Sequence, residues 1–436
     1  MDLISIVSTD LTAITRGRAV PREALQNEAT SGCGWVPANS ALTPQDIIAD
    51  PNPWGSHGDL RLIPDLDSHV HVRAISDHVP DMHYVHGNLY TVDGEPWPVC
   101  PRTVLEAELA HYRKNLGWQV KAAFEHEFIL NDSTGLAAPA FSLQAQRRAA
   151  RFAACLMEAL ANSHNSPETF LPEYGQHQYE VTCRPAIGLA SADRAINVRE
   201  ITRDIARQLG LEASFTPQPF PGGVSNGVHL HLSFLDENNL PVLHDSKGAI
   251  GLSRLGQHWA AGVLHYMPAL CAFTAPSPVS YLRLQPHHWS SAYACLGVRN
   301  REAALRVCPT TRLGNKPVEQ QFNLEYRALD ATASPHLAMA VILMAGRLGI
   351  EQRLPMTARA DQDPDTLSDE QRTKLGIHPL PASLSAALEA LRACPALEEC
   401  LSEPLLATYQ ALKRQELANV EGLDDDALCA LYRSIY

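Results

Sequence analysis

Apolar and polar positions repeat with two periods along this chain. Alternation every second residue marks strands, and spacings of three and four mark helices. LRLIP (60–64) and HVHVRAI (69–75) alternate as short strands. The rest of residues 1–95 reads as loop, broken at Pro37, Pro44, Pro51, Pro53, Pro64 and Pro80. The cluster EPWPVCPR (95–102) predicts a boundary, with one domain over 1–97 and a second over 98–436. Beyond it, Val104, Leu105, Leu109 and Tyr112 fall at helical spacing, and Gly117 is the predicted stop.

Strands and helices then alternate. KAAFEHEFIL (121–130), QYEVTCRPA (178–186) and GVHLHLSFL (227–235) predict strands. Helices are predicted over 145–163 and over 191–210, the latter capped by Ser191. RNREAALRV (299–307) and NLEYRALD (323–330) read as further strands. PHLAMAVILMAGRLGI (335–350) is an apolar helix with Met339 and Met344 in the core. The polar stretch 358–376 predicts a surface loop or short helical excursion, and the tail from about 380 is helical.

Length and charge narrow the function. A chain of 436 residues is longer than one hydrophobic core usually serves. Thirty-five basic against 48 acidic residues give a net charge of −13, which argues against a nucleic-acid partner. No run of apolar residues is long enough to span a membrane, and the first residues lack a basic start and an apolar stretch, so no membrane partner and no secretion signal are expected. The ten cysteines are scattered. Cys33, Cys100, Cys155, Cys183 and Cys271 read as small buried residues, and a reducing cytoplasm is the expected setting.

Several strands place metal-ligand side chains on one face. Glu125 and Glu127 are two apart, as are His229 and His231, so each pair points the same way. Glu173 and Glu180 bracket the turn-like YGQHQY, and Glu325 lies two before Arg327. A solvent-facing strand edge would explain any one pair. It fits Glu125 and Glu127 poorly, because Phe124, Phe128 and Ile129 imply burial and neighbouring carboxylates repel unless a cation intervenes. Carboxylates with a single imidazole suit Mg²⁺ or Mn²⁺. Arg283, Arg299, Arg301, Arg306 and Arg327 recur among apolar neighbours, as phosphoryl transfer requires. Neither a GxxxxGK[ST] loop nor a strand–helix GxGxxG is present. His69 and His71 look like the first-strand HxH of metal-dependent amidohydrolases, but the eightfold pattern of such barrels is missing, so they read as a half-buried strand.

In order, ExEF (125–128), Glu173 to Glu180, NGVHLHLSF (226–234), YLRLQP (281–286), RNREAALRV, EYRALDATASPHLAMAVILMAGRLGI (325–350) and LATYQALKRQE (406–416) resemble the glutamine synthetase family over residues 96–436. The first 95 residues resemble its small β-grasp domain. The resemblance implies an α+β fold, with a curved antiparallel sheet backed by helices, and a homo-oligomeric ring with active sites between subunits. It implies ATP as co-substrate and two or more Mg²⁺ or Mn²⁺ ions. Glutamate becomes γ-glutamyl phosphate, and an amine then displaces phosphate. By match, Glu127, Glu173 and Glu180 hold one metal, while Glu125, His229 and Glu325 hold the other. His231, Ser233 and Arg306 lie by the nucleotide, Arg283 and Arg327 grip glutamate, and Arg301 and Arg306 steady the moving phosphoryl group. Glu180 also counts among the catalytic groups.

The departures concern the amine. Where the family places an acid six residues after the arginine of its RLVPG-type motif, this chain has Trp289, with His287 and His288 beside it. WVPANSA (35–41), the counterpart of a loop that supplies another acid, has none. Val224 replaces a usual asparagine, and Asn323 replaces a frequent arginine. A pocket without carboxylates binds ammonium poorly, whereas an indole offers an apolar surface and a π-face. The expected acceptor is an alkyl or aromatic amine, with Trp289 and His288 lining its pocket. The competing readings are a true glutamine synthetase using ammonia and a non-catalytic family member.

Overall fold

Six strands drawn from the first 91 residues form a sheet where the sequence suggested mostly loop. They are β1 (Leu3–Thr9), β2 (Thr15–Pro21), β3 (Cys33–Trp35), β4 (Leu60–Pro64), β5 (Val70–Val72) and β6 (Met82–Thr91). Their order is β2-β1-β6-β4-β3, with β5 also paired to β6; β1 and β6 run parallel and the other pairs antiparallel. The helix Leu25–Ser31 packs on β4. The alternation was hidden for two reasons. β2 is a polar edge with exposed Arg18, and β6 buries His83, His86 and Asn88, residue types that ordinarily signal exposure. The computed structural model describes residues 2–131, 138–286 and 291–436.

Eleven further strands follow: β7 (Gln119–Asn131), β8 (Pro167–Pro172), β9 (Gln178–Cys183), β10 (Ala186–Ile187), β11 (Glu212–Ser214), β12 (Val228–Leu235), β13 (Tyr293–Ala294), β14 (Leu296–Val298), β15 (Leu305–Val307), β16 (Leu324–Tyr326) and β17 (His378–Pro379). β13 and β17 pair by themselves. The other nine form one sheet in the order β14-β15-β16-β12-β7-β9-β8, with β10 and β11 also on β7. Among the described residues of this sheet only the pair β14–β15 is parallel. The result is the expected α+β arrangement.

β7 shows how the sequence sorts the two faces of this sheet. Val120, Ala122, Phe124, His126 and Phe128 are buried. The helix Leu189–Gln208 packs against the strand. The alternate positions, Glu125 and Glu127 among them, point to the opposite face. The apolar helix Pro335–Glu351 lies against Arg254–Thr274 at glycine contacts. A Cβ on Gly346 would fall 2.0 Å from Trp259 Nε1, and one on Gly262 would fall 2.3 Å from the Ala345 carbonyl. Met339 and Met344 are buried there, as expected.

Local boundaries differ from expectation in three places. The helix predicted over 145–163 is two helices, Leu143–Arg148 and Ala150–Asn162, interrupted at Ala149 (ψ 9°). The next helix begins at Leu189 behind Gly188, whose φ of 63° suits glycine; Ser191 lies inside it and donates to the Gly188 carbonyl at 2.7 Å. The predicted strand 299–307 keeps only Leu305–Val307, because Arg299 turns the chain at φ 61°. The polar stretch 358–376 does carry a short helical excursion, Asp369–Leu375, started by a Ser368/Gln371 capping box.

Arg102 joins the two parts of the chain. Its guanidinium donates to Asp193 (3.0 and 2.9 Å) on the helix Leu189–Gln208 and to Asn88 Oδ1 (2.8 Å) on β6, and it also reaches Asp65 after β4. His336 Nε2 lies 2.8 Å from the same Asp193 carboxylate.

Candidate active site

Strand register assembles the site. His229 on β12 stands directly opposite Glu125 on β7. His231 stands opposite Glu325 on β16, and Glu325 opposite Arg306 on β15. On the other side of β7, Glu127 faces Glu180 on β9. Because side chains alternate, these residues share one sheet face although they span some two hundred positions in sequence.

His229 Nδ1 is 3.5 Å from both Glu125 Oε2 and Glu325 Oε1. Donor atoms of Glu125, His229 and Glu325 all lie within 4.8 Å of one another. His231 Nε2 is 3.1 Å from Glu125 Oε1, while its Nδ1 is 2.9 Å from Asn323 Oδ1. Glu325 is fully buried and accepts from Arg306 Nε and from Arg327. Arg283, also buried, donates to the Arg327 carbonyl at 3.1 Å. A Cβ on Gly227 would sit 2.7 Å from Arg283 and 2.9 Å from His229 Nε2, so only glycine permits this approach. The Gly227 N–H donates to Glu127 Oε2 at 2.6 Å.

The carboxylates divide into two electrostatic groups. Burial raises Glu325, but Arg327, His229, His231 and Arg306 outweigh it and hold the acid at about 2. Burial likewise acts against ionised Glu125, and His231 and His229 hold it well below its usual range. Glu127 is pushed up to about 7, first by burial and then by Glu173, against the Gly227 N–H and Arg283. Glu180 is pushed up to about 9 by burial and by Glu125, Glu127 and Glu173. Burial also raises Glu173. One side of the face is an ionised, arginine-braced cluster, and the other is a crowd of acids that repel one another.

Two family patterns cover nearly the whole chain: "Glutamine synthetase, catalytic domain" matches residues 98–427, and "Glutamine synthetase N-terminal domain" matches residues 1–97. The chain belongs to the glutamine synthetase family. It is 34% identical to a gamma-glutamylpolyamine synthetase of Streptomyces coelicolor over 99% of this chain and 93% of that protein. It is 29% identical to the glutamine synthetase of Pyrococcus furiosus over 92% of this chain and 87% of that one. Among solved structures, a novel glutamine synthase homolog superposes with a TM-score of 0.93 at 56% identity, covering 100% of this chain and 98% of the other. A GmaS/ADP complex superposes at 0.83 with 25% identity, covering 97% and 94%.

Glutamine synthetases typically use ATP and divalent metal ions, and the donor set here fits such ions. Hard carboxylate oxygens dominate, one imidazole lies among them, and the crowding of Glu127, Glu173 and Glu180 is what a cation relieves. The structure brings together Glu125, His229, Glu325, His231, Arg306, Arg327 and Arg283, and beside them Glu127 and Glu180. Glu173 follows β8 directly, its N–H bonded to the Gln178 carbonyl at 2.8 Å. Ser233 follows His231 on the same face, 3.5 Å from the Lys121 carbonyl. Arg301 is exposed on the turn before β15; its carbonyl accepts from Arg327 Nε at 3.1 Å, and its charge acts on Glu173. His287, His288 and Trp289 lie outside the described residues.

Sequence reasoning missed Cys308. Its thiol lies 3.6 Å from both His231 Nδ1 and Glu325 Oε2. Its only signal was its position one residue beyond the RNREAALRV segment. It also missed Asp330, a buried carboxylate whose charge acts on Arg283 and whose Oδ1 accepts from the Thr332 N–H at 2.9 Å and the Thr332 hydroxyl at 2.6 Å.

Proposed function

We propose that this chain is an ATP-dependent ligase that joins the γ-carboxyl of glutamate to an organic amine. The observation that carries the reading is the convergence of Glu125, His229 and Glu325 with Arg306 and Arg327 on one sheet face, beside the Glu127–Glu180 pair. In this reading Glu125, His229 and Glu325 hold one divalent ion, and Glu127, Glu173 and Glu180 hold another. These ions neutralise nucleotide phosphates when bound. His231, Ser233 and Arg306 face the nucleotide. Arg283 and Arg327 orient glutamate, and Arg301 and Arg306 balance charge on the transferring phosphoryl group.

Two bonds change hands. A γ-carboxylate oxygen of glutamate attacks the terminal phosphorus of ATP, and ADP leaves. The amine nitrogen then attacks the γ-carbonyl carbon, phosphate leaves with the bonding pair, and the nitrogen sheds its extra proton. Keeping water away preserves the acyl phosphate between the steps. A ring of copies with sites completed between subunits belongs to this reading, as does a cytoplasmic setting. Among the described residues no helix is long and apolar enough to cross a membrane.

The acceptor is an alkyl or aromatic amine, taken against Trp289 and His288. Two observations support this choice: the family's acid is replaced by an indole, and the chain resembles a gamma-glutamylpolyamine synthetase along its whole length. Ammonia is the competing acceptor, since relatives such as the Pyrococcus furiosus protein are glutamine synthetases. Phosphate release with ATP, glutamate and a panel of ammonia, alkyl, aryl and polyamine acceptors tests the reading. An organic amine should give the highest kcat/KM, and turnover should vanish when glutamate is omitted or replaced by aspartate. Highest kcat/KM with ammonia would contradict the acceptor assignment.

A further inference from the structure

The β5–β6 pair carries a histidine cluster on the N-terminal sheet, a different sheet from the one that bears Glu125 and His229. Antiparallel register sets His71 directly opposite His83. His69 precedes His71 by two residues in extended backbone, so it shares that face. The rings of His71 and His83 stack with centroids 4.1 Å apart, and His69 stacks on His83 at 5.9 Å. Asp81 closes the group, with its Oδ2 2.8 Å from His71 Nε2 and its Oδ1 fixed by the Ala74 N–H at 3.0 Å.

We infer that His71, Asp81 and His83, with His69 beside them, form a second metal site that takes a borderline divalent transition ion such as Zn²⁺. Donor atoms of His71, Asp81 and His83 lie within 4.8 Å of one another. Two ligands of a tetrahedral Zn²⁺ stand roughly 3.4 Å apart at metal–ligand lengths of about 2.1 Å, so an ion can replace the short His71–Asp81 contact once that pair separates and one of the stacked imidazoles rotates to converge the in-plane lone pairs. His83 is only 9% exposed, and its Nδ1 is buried without a hydrogen-bond partner among the described residues. A buried ring nitrogen of this kind needs a partner, and a bound metal ion supplies one to its lone pair in the tautomer protonated at Nε2.

The ligand chemistry separates this site from the glutamate cluster. Imidazole nitrogens prefer zinc, copper or nickel, whereas the carboxylate cluster prefers magnesium or manganese. The location gives a bound ion a structural consequence. Ala74 and Asp81 flank the loop between β5 and β6, and the Ile75 N–H in that loop donates to Gln208 Oε1 at 2.8 Å. Gln208 ends the helix that carries Asp193 and the Arg102 joint. An ion held by His71, Asp81 and His83 therefore pins a loop bridging the N-terminal sheet and the catalytic part.

The test uses the full-length protein stripped with EDTA and returned to excess Mg²⁺, which occupies the glutamate cluster. Zn²⁺ is titrated by calorimetry, and Co²⁺ by visible absorption, into wild type and into a His71→Asn/Asp81→Asn variant. Both substituted side chains lie at the surface, and equal melting curves in EDTA confirm that the variant folds. Wild type should bind one more Zn²⁺ per chain than the variant and gain melting temperature with Zn²⁺, a gain the variant lacks. His69→Asn alone should weaken zinc binding by about tenfold or less, as expected for an accessory group. Equal zinc stoichiometry and affinity in wild type and the double variant would overturn the site, as would a wild type that binds no zinc beyond the magnesium-occupied cluster. Neither result bears on amine ligation, so this site stands or falls apart from the ligase reading.

Discussion

Glu180 stands directly opposite Glu127 across β9 and β7, and burial with Glu125, Glu127 and Glu173 around it holds its carboxyl up at about 9. Glu127 is held at about 7. Both raised acids are protonated or partly so near neutral pH, and a divalent ion must displace those protons. Calorimetry of Mg²⁺ binding at pH 7, repeated in buffers of different ionisation enthalpy, should therefore show proton release. Release should shrink, and affinity rise, as pH climbs from 7 toward 9. The sign for folding follows from the same shifts. A raised carboxyl favours the folded state while protonated, so the metal-free protein should lose stability between about pH 4.5 and 9, and Mg²⁺ should restore it.

Glu325 is buried between Arg306 and Arg327. Glu325→Gln leaves two buried guanidinium groups facing an amide. Loss of one partner of such a network costs about 3–5 kcal/mol. Denaturant unfolding should show that loss, and Mg²⁺ binding should weaken with it. Glu125→Gln should cost less stability, because Glu125 is half-buried and its partners are imidazoles able to shed their protons.

How much of this arrangement the sequence revealed depends on who each residue's neighbours are. Glu125, Glu127, His229 and His231 were visible because two-residue spacing within a strand fixes a shared face. That Glu325 is braced by Arg306 could not be read, since it depends on β15 pairing with β16. Arg301 looked like a strand residue, but the turn at Arg299 puts it outside. The N-terminal sheet was largely illegible, because β2 is polar and β6 buries histidine and asparagine. Buried partners excuse those polar groups: Asn88 accepts from Arg102, and His86 Nε2 lies 2.8 Å from Asn197 Oδ1.

Arg102 links Asp65 and Asn88 to Asp193. Arg102→Met should lower stability by about 3–5 kcal/mol, since it leaves the Asp193 carboxylate buried without its guanidinium. Burial opposes the ionised form of Asp193, but His86, His336 and Arg102 outweigh it and hold the acid far below its usual range. Its contribution is present above the unfolded value of about 4 and is lost as pH falls below it. Acid unfolding of wild type should therefore start in that range. The Arg102→Met variant should unfold at higher pH than wild type.

In the proposed reading, Trp289 stands at the position of the family's ammonium-pocket acid. Trp289→Glu should raise kcat/KM for ammonia relative to the best organic amine by about tenfold, equivalent to about 1.4 kcal/mol of transition-state discrimination. An unchanged ratio, with ATP and glutamate kinetics intact, would remove Trp289 from the acceptor pocket.

The most direct test is a competition in one vessel. ATP, Mg²⁺, glutamate, ammonia and an organic amine at equal concentration are incubated with the wild-type chain, and the products are weighed by mass spectrometry. The predicted result is the γ-glutamyl derivative of the organic amine as the main amide, formed one-for-one with ADP. Glutamine as the main product, or ADP formed without any amide, would contradict the account.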